Sequence, residues 1–306
     1  MPELPEVETI RRQLAPLVEG RRLEQIEILD PRWSSPAAPD ELEAALTGRV
    51  VERLGRRGKY LVWTLSDDVH LAQHLRMTGG VLWRPADVAG EDPPYTRVRL
   101  LLGPAPRRRP GGGDVASAGP RGPLRLAFVD ARRFGTGQLL PGSEAMEAFF
   151  DARLGLEPLD ERFTAEHLQR IARGRSTPVK SFLLDQRRVA GVGNIYADEA
   201  LFRARIHPLR PAGSLTRRQW EAIRTGVIDA LLAGIDARGA TIDDFRDIDG
   251  ASGSFQNQFL VHRREGEPCP GGEGVVTKLV VGGRGTYVCE SCQRPPRRRR
   301  ARSGGQ

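Results

Sequence analysis

The spacing of apolar and polar positions changes twice along the chain. Val7, Ile10, Leu14, Leu17 and Val18 recur at helical spacing, with Glu6 and Glu8 early and Arg11 and Arg12 later. That pattern predicts an amphipathic helix whose acidic side chains sit at its positive pole. Pro5 suits its first turn, whereas Pro2 and Glu3 lie outside the periodic run and are not explained by it. The period then shortens. RLEQIEILD, GRVVERLGRRGKYLVWTL, DVHLAQHLRMTGGVLW, TRVRLLL and LRLAFVDARRFG are short alternating runs divided by Gly, Asp and Pro, which predicts a two-layered β-structure. The Gly-, Pro- and Arg-rich stretch 103–123 has strand-like sequence on both sides, so it reads as a long flexible hairpin insertion and not as a domain boundary.

Between 146 and 160 helical periodicity returns. TAEHLQRIARG, PVKSFLLDQ, NIYADEALFRA and LTRRQWEAIRTGVIDALLAGIDA predict about four helices. Gly191, Val192, Gly193 and Asn194 form a tight turn before the third. The resulting partition is a β-rich domain at 1–145, a linker at 146–157, a helical domain at 158–254, a Cys-containing hairpin at 255–293 and a disordered Arg-rich tail at 294–306. This is an α+β multi-domain chain.

Composition narrows the function classes. With 306 residues, 39% of them hydrophobic, the chain can bury real cores, and no apolar stretch is long enough to cross a bilayer. The start lacks the basic cluster and apolar run of a secretory signal, so a reducing compartment is expected. Cys269, Cys289 and Cys292 are an odd, clustered set, better suited to a metal than to a disulfide framework. The formal charge of +8 favours a polyanionic partner. Six arginines between 294 and 302 account for most of it, leaving about +2 on the body, so basicity alone says little.

Seven stretches carry a more specific pattern: PELPEVET (2–9), RRGKY (56–60), HLRMTG (74–79), DARRFG (130–135), GVGNIYADEALF (191–202), IHP (206–208), and REGEPC followed by VVGGRGTYVCESCQ (264–293). In this order they resemble the formamidopyrimidine-DNA glycosylase family, bacterial base-excision-repair enzymes in the same superfamily as endonuclease VIII. The resemblance implies an N-terminal β-sandwich with an N-terminal helix, a helix–two-turn–helix domain and a C-terminal zinc-finger-like β-hairpin. It also implies a monomeric cytoplasmic bacterial enzyme acting at the nucleoid on damaged double-stranded DNA, with no membrane partner. Its activity would be that of a bifunctional DNA glycosylase and AP lyase excising oxidised purines, 8-oxoguanine and formamidopyrimidines, with β,δ-elimination. Three alternatives stay open: an endonuclease VIII-like enzyme for oxidised pyrimidines, an AP lyase alone, and a non-catalytic damage-binding protein.

The resemblance gives Pro2 and Glu3 a chemical purpose. Loss of Met1 would free the secondary amine of Pro2, and a chain-terminal amine titrates near about 8, against about 10.4 for lysine. It can therefore attack a sugar anomeric carbon near neutral pH. The iminium formed acidifies the neighbouring sugar proton, so elimination needs no metal. Glu3 is the adjacent acid/base. Lys59 matches the proton donor of the first elimination, although its local pattern alone describes a solvated edge lysine. Arg284 matches the residue of the second elimination, or on sequence alone a phosphate-contacting hairpin residue. Because guanidinium scarcely deprotonates, its expected role is to position the departing phosphate.

An enzyme that extrudes a base must fill the gap. Met77, Arg132 and Phe134 match the family residues that do so, with core packing the alternative for Met77 and Phe134. DNA anchoring is expected at Asn194 and Lys180, the turn at 191–194 directing N–H groups and a side-chain amide outward. Arg175, Arg133 and Tyr95 are further DNA-contact candidates.

Two positions depart from the family. Its finger reads Cys-x2-Cys-x16-Cys-x2-Cys, whereas Gly272 stands here where the second cysteine belongs. Structural zinc wants four ligands; Glu273, His262 or water are candidates to complete the set, or the hairpin holds by packing without metal. In the loop near 241–255 expected to cover a flipped base, Ser254 replaces a common Tyr, which would alter recognition of an oxidised purine.

Overall fold

The structure, a computed structural model, describes residues 1–106, 120–242 and 245–296. Most of the 103–123 insertion and of the 294–306 tail therefore lies outside the described residues. Contacts divide the chain into two compact units, Met1–Gly155 with Leu231–Gln258, and Leu156–Ala230 with Phe259–Gln306. Residues 231–258 thus group with the β-rich part, a division that element type alone does not suggest.

The first unit opens with α1 (Leu4–Val18), β1 (Leu23–Ile28) and α2 (Pro39–Leu46). Strands β2 (Val51–Arg57), β3 (Tyr60–Leu65), β4 (Val69–His74), β5 (Gly80–Pro85), β6 (Thr96–Leu102), β7 (Leu124–Val129) and β8 (Thr136–Pro141) follow, then α3 (Ser143–Asp151). They form two antiparallel four-stranded sheets, β1-β6-β7-β5 and β2-β3-β4-β8. This is the expected β-sandwich. Val7, Ile10 and Leu14 of α1 join Leu54, Leu61, Val98 and Phe128 in one apolar core, so the opening helix is built into the sandwich. Leu42 and Leu46 of α2 enter the same core. Strand β8 begins against Trp33: a Cβ on Gly137 would stand 2.2 Å from the indole, so only glycine fits.

In the second unit the helices are α4 (Ala165–Ala172), α5 (Val179–Leu184), α6 (Asn194–Arg203) and α7 (Arg217–Asp236), the last ending in residues of the first unit. Thr164 caps α4 by accepting from the His167 amide at 3.1 Å. All of Ile195–Phe202 in α6 is buried, and the Phe182 and Trp220 rings pack 5.3 Å apart. Strands β9 (Thr277–Val281) and β10 (Arg284–Val288) make a hairpin. Its two turn residues, Gly282 and Gly283, have φ of 56° and 74°, the positive pair that a tight two-residue hairpin demands and glycine supplies. No helix among the described residues is long and apolar enough to cross a membrane.

Candidate active site

Pro2 and Glu3 are buried at the mouth of α1. Glu3 is the N-cap and forms a capping box: its amide donates to Glu6 Oε2 at 2.8 Å. The helix therefore does account for Glu3 in part, contrary to the sequence reading. Glu6, which that reading did not single out, is only 1% exposed, and its Oε1 accepts the Ala240 amide at 2.7 Å. Gly239, with φ of 82°, lies so close that a Cβ would meet Glu6 Cγ at 2.8 Å. One carboxylate thus ties the chain start to the segment leading into the 241–255 loop. Ser254 in that loop is exposed, its hydroxyl donating to the Ala237 carbonyl at 3.3 Å.

Lys59 is not a solvated edge lysine. It is 5% exposed and, with Gly58, forms the two-residue turn between β2 and β3. The turn is fixed to α1 through Arg56, which donates to Glu8 Oε2 at 3.1 Å and to the Gly58 carbonyl at 3.0 Å. Burial alone would raise the Glu8 carboxyl. Hydrogen bonds from Arg11 and Arg12, and the charges of Arg11 and Arg56, outweigh burial and hold it below the ordinary range. Beside Lys59, burial first and then the positive charges of Arg76 and Lys59 push His74 down to about 3. His74 is therefore a neutral imidazole whose Nδ1 accepts the Arg76 amide at 2.9 Å.

Met77 is 38% exposed and Phe134 51%, so neither packs in the core. The Arg132 guanidinium stands 4.8 Å from the Phe134 ring centroid. Tyr95 is 61% exposed. Arg133 pairs with buried Asp30 at 3.8 Å. Beneath these loops lies Asp130, 1% exposed, whose Oδ2 accepts the Phe134 and Gly135 amides at 2.8 and 2.7 Å. The sequence pattern contained this residue in DARRFG but gave it no role.

In the second unit both expected anchors touch the hairpin. Lys180 is fully buried; its ammonium meets Asp198 Oδ1 at 2.7 Å, Thr286 Oγ1 at 2.7 Å and the Gly285 carbonyl at 3.1 Å. It is turned away from any external phosphate because a buried carboxylate and two hairpin oxygens satisfy it. The Asn194 side-chain amide, expected to face outward, donates to the same Gly285 carbonyl at 3.0 Å. Asp198 also accepts from His262 Nδ1 at 2.9 Å, and Glu199 accepts the amides of Leu260, Val261 and His262, each at 3.0 Å. Together these groups register the hairpin that carries Arg284, which is exposed directly after the Gly-Gly turn. Arg175 is exposed, its Nε on the Ile171 carbonyl at 2.8 Å.

The three cysteine sulfurs lie within 4.8 Å of one another, and Cys269 Sγ is 3.6 Å from Cys292 Sγ. Zn–S bonds near 2.3 Å in a tetrahedron place sulfurs about 3.8 Å apart, so the three thiols fit three of the four corners of a structural zinc site. Among the described residues neither Glu273 nor His262 joins this cluster; His262 is held by Asp198. Phe202, Val261 and Val276 pack with Cys269 and Cys289 in a small core, which supports the hairpin apart from any metal.

Known proteins match this architecture throughout. The sequence profiles of the formamidopyrimidine-DNA glycosylase N-terminal domain and H2TH domain match residues 1–137 and 154–246. The formamidopyrimidine-DNA glycosylase of Pelotomaculum thermopropionicum is 40% identical over 96% of this chain and 99% of its own. The crystal structure of the Fpg protein from Thermus thermophilus has a TM-score of 0.79 and 40% identity, covering 95% of this chain and 98% of that one. A complex of Lactococcus lactis Fpg with DNA containing an abasic site has a TM-score of 0.82 and 31% identity, covering 96% and 100%. A sandwich opening on Pro-Glu, a helical domain and a Cys-bearing hairpin define the class, and the chain belongs to the formamidopyrimidine-DNA glycosylase family, DNA glycosylases of base-excision repair.

Proposed function

We propose that the protein is a bifunctional glycosylase and AP lyase that excises oxidised purines, 8-oxoguanine and formamidopyrimidines, from double-stranded DNA in the bacterial cytoplasm. The observation that carries this reading is the buried Pro2-Glu3 pair, tied through α1, Glu8 and Arg56 to the turn that holds Lys59. With Met1 removed, the Pro2 nitrogen attacks C1′ of the damaged nucleotide; the C1′–N bond breaks and the base leaves. The nitrogen passes its proton to the departing base; the C1′–O4′ bond then breaks as O4′ takes a proton, and an iminium remains. Glu3 moves protons at the opening sugar. Loss of a C2′ proton then expels the 3′ phosphate, with Lys59 as the family-matched proton carrier, and a second elimination expels the 5′ phosphate, with Arg284 compensating its charge.

Met77, Arg132 and Phe134 fill the vacated stack, while Arg175, Arg133 and Tyr95 add contacts to the DNA. Lys180 and Asn194 serve that surface indirectly, through the hairpin. Cys269, Cys289 and Cys292 would hold a zinc ion whose contribution is a structural cross-link.

A second reading, excision of oxidised pyrimidines, draws support from Ser254 and from a neighbour. The Lactococcus lactis protein, 31% identical with a TM-score of 0.81, has been solved with DNA containing an oxidised pyrimidine. Borohydride trapping on competing duplexes tests both. Faster covalent capture and cleavage of the oxidised-purine duplex is expected; a preference for the pyrimidine lesion would replace the first reading with the second, and tight binding without an adduct would leave a damage-binding protein.

A further inference from the structure

Asp130, directly after β7, takes no part in the chemistry above, yet three separate stretches of chain meet on it. Its Oδ1 accepts the Thr78 hydroxyl and, at 3.2 Å, the Arg132 amide. Its Oδ2 accepts the Phe134 and Gly135 amides at 2.8 and 2.7 Å. Thr78 Oγ1 also accepts the Arg132 amide at 3.1 Å. The backbone of Asp130 continues the junction: its amide donates to the Tyr95 carbonyl at 3.0 Å, and its carbonyl accepts Arg97 Nε at 2.9 Å.

Each stretch carries an exposed side chain of the candidate DNA-facing set, Met77, Tyr95 and Phe134. Exposed side chains have little packing to hold them, so their placement is set by the backbone beneath. That backbone is under local strain, with φ of 65° at Tyr95 and 60° at Arg133, conformations that persist only where surrounding bonds over-determine them. It also has no slack: a Cβ on Gly135 would stand 2.4 Å from Phe128 Cζ and 3.1 Å from Asp130 Oδ2. A carboxylate suits this post because it is acceptor-only and can serve four donors at once. An asparagine would turn an NH2 group towards amide hydrogens.

We infer that Asp130 is a positioning residue for filling the base stack: it sets Met77, Arg132 and Phe134 relative to one another and so governs both the rate of stack opening and discrimination of the base opposite the lesion. The inference rests on the glycosylase reading above. It assigns Asp130 to a step before covalent chemistry, separate from Pro2.

The test uses the full chain and two readouts. Stopped-flow fluorescence of 2-aminopurine placed beside the lesion follows stack opening, and borohydride trapping on a preformed abasic site follows the amine chemistry. Asp130→Asn is expected to slow the fluorescence rise at least tenfold and to compress the ratio of rates across the four opposite bases, while trapping falls no more than threefold. Thr78→Val, which removes one arm of the junction at a partly exposed site, should slow the rise about threefold, and Thr78→Ser should restore it to within twofold of the parent. Equal losses in fluorescence and trapping for Asp130→Asn would overturn the inference, as would a Thr78→Val variant with unaltered rise and unaltered opposite-base ratios. No adduct with the parent protein on any duplex would overturn the glycosylase reading, and this inference with it.

Discussion

Asp130 in the first unit and Asp198 in the second are both buried beneath functional candidates and both accept a main-chain amide, but only Asp198 also takes an ammonium. Asp130 accepts backbone amides and a hydroxyl, which leaves Met77, Arg132 and Phe134 free to project. Asp198 draws in an ammonium and an imidazole, so Lys180 is lost from the surface and becomes a brace for the Arg284 hairpin. A buried carboxylate can thus either present its neighbours or consume them. Which one occurs depends on whether a charged side chain is among its donors.

Lys180 carries the largest expected effect. Lys180→Met leaves Asp198 with a buried charge, and removing one partner of a buried pair costs about 3–5 kcal/mol. Chemical denaturation should register that loss. If Lys180 instead met a phosphate, stability would hold and the salt dependence of DNA binding would lose about one unit of slope.

The first unit has its own buried titrating group in His74. Its folded pKa lies below the unfolded value, so the unfolded chain takes up a proton that the folded chain refuses as pH falls. Its contribution to stability is complete above about 6.5 and declines towards about 3. Between pH 7 and pH 5 the parent should lose about 2 kcal/mol more than His74→Gln, measured as the difference in urea unfolding free energy.

Smaller effects sharpen the contrast. Cobalt added to reduced protein should give one bound ion with thiolate charge-transfer bands, and Cys292→Ser should weaken that binding at least about tenfold. Bands that persist unchanged in the variant would remove Cys292 from the site. Arg132→Ala, on an exposed side chain, should shift unfolding by less than about 0.5 kcal/mol while equalising cleavage opposite different bases. A large stability loss there would mean the first unit consumes its arginine as the second consumes its lysine.

Much of this was legible in the sequence. Period-2 runs marked seven of the eight sandwich strands, and the helical runs marked α1 and α4 to α7, because each buries one face on a regular spacing. β8 was missed since TGQLLP lacks alternation, and α2 and α3 because they are short and lightly buried. Among site residues, local pattern suggested a solvated Lys59 and an outward-facing Asn194, and Lys180 was expected to anchor DNA. Burial of a lysine depends on an acceptor far away in sequence, here Asp198 and the 285–286 backbone and hydroxyl, and no local window contains it. Asp130, Glu6 and Asp198 sat inside recognised motifs but have no chemistry of their own to draw attention. An acidic residue inside a Gly- and Arg-rich motif was the available clue.

The proposed chemistry turns on which nitrogen bonds to the sugar. Peptide mapping of the borohydride-trapped complex by tandem mass spectrometry should find deoxyribose on the Pro2 nitrogen, with Met1 absent and Lys59 unmodified. An adduct on Lys59, or undiminished trapping after the Pro2 amine is capped, would contradict it.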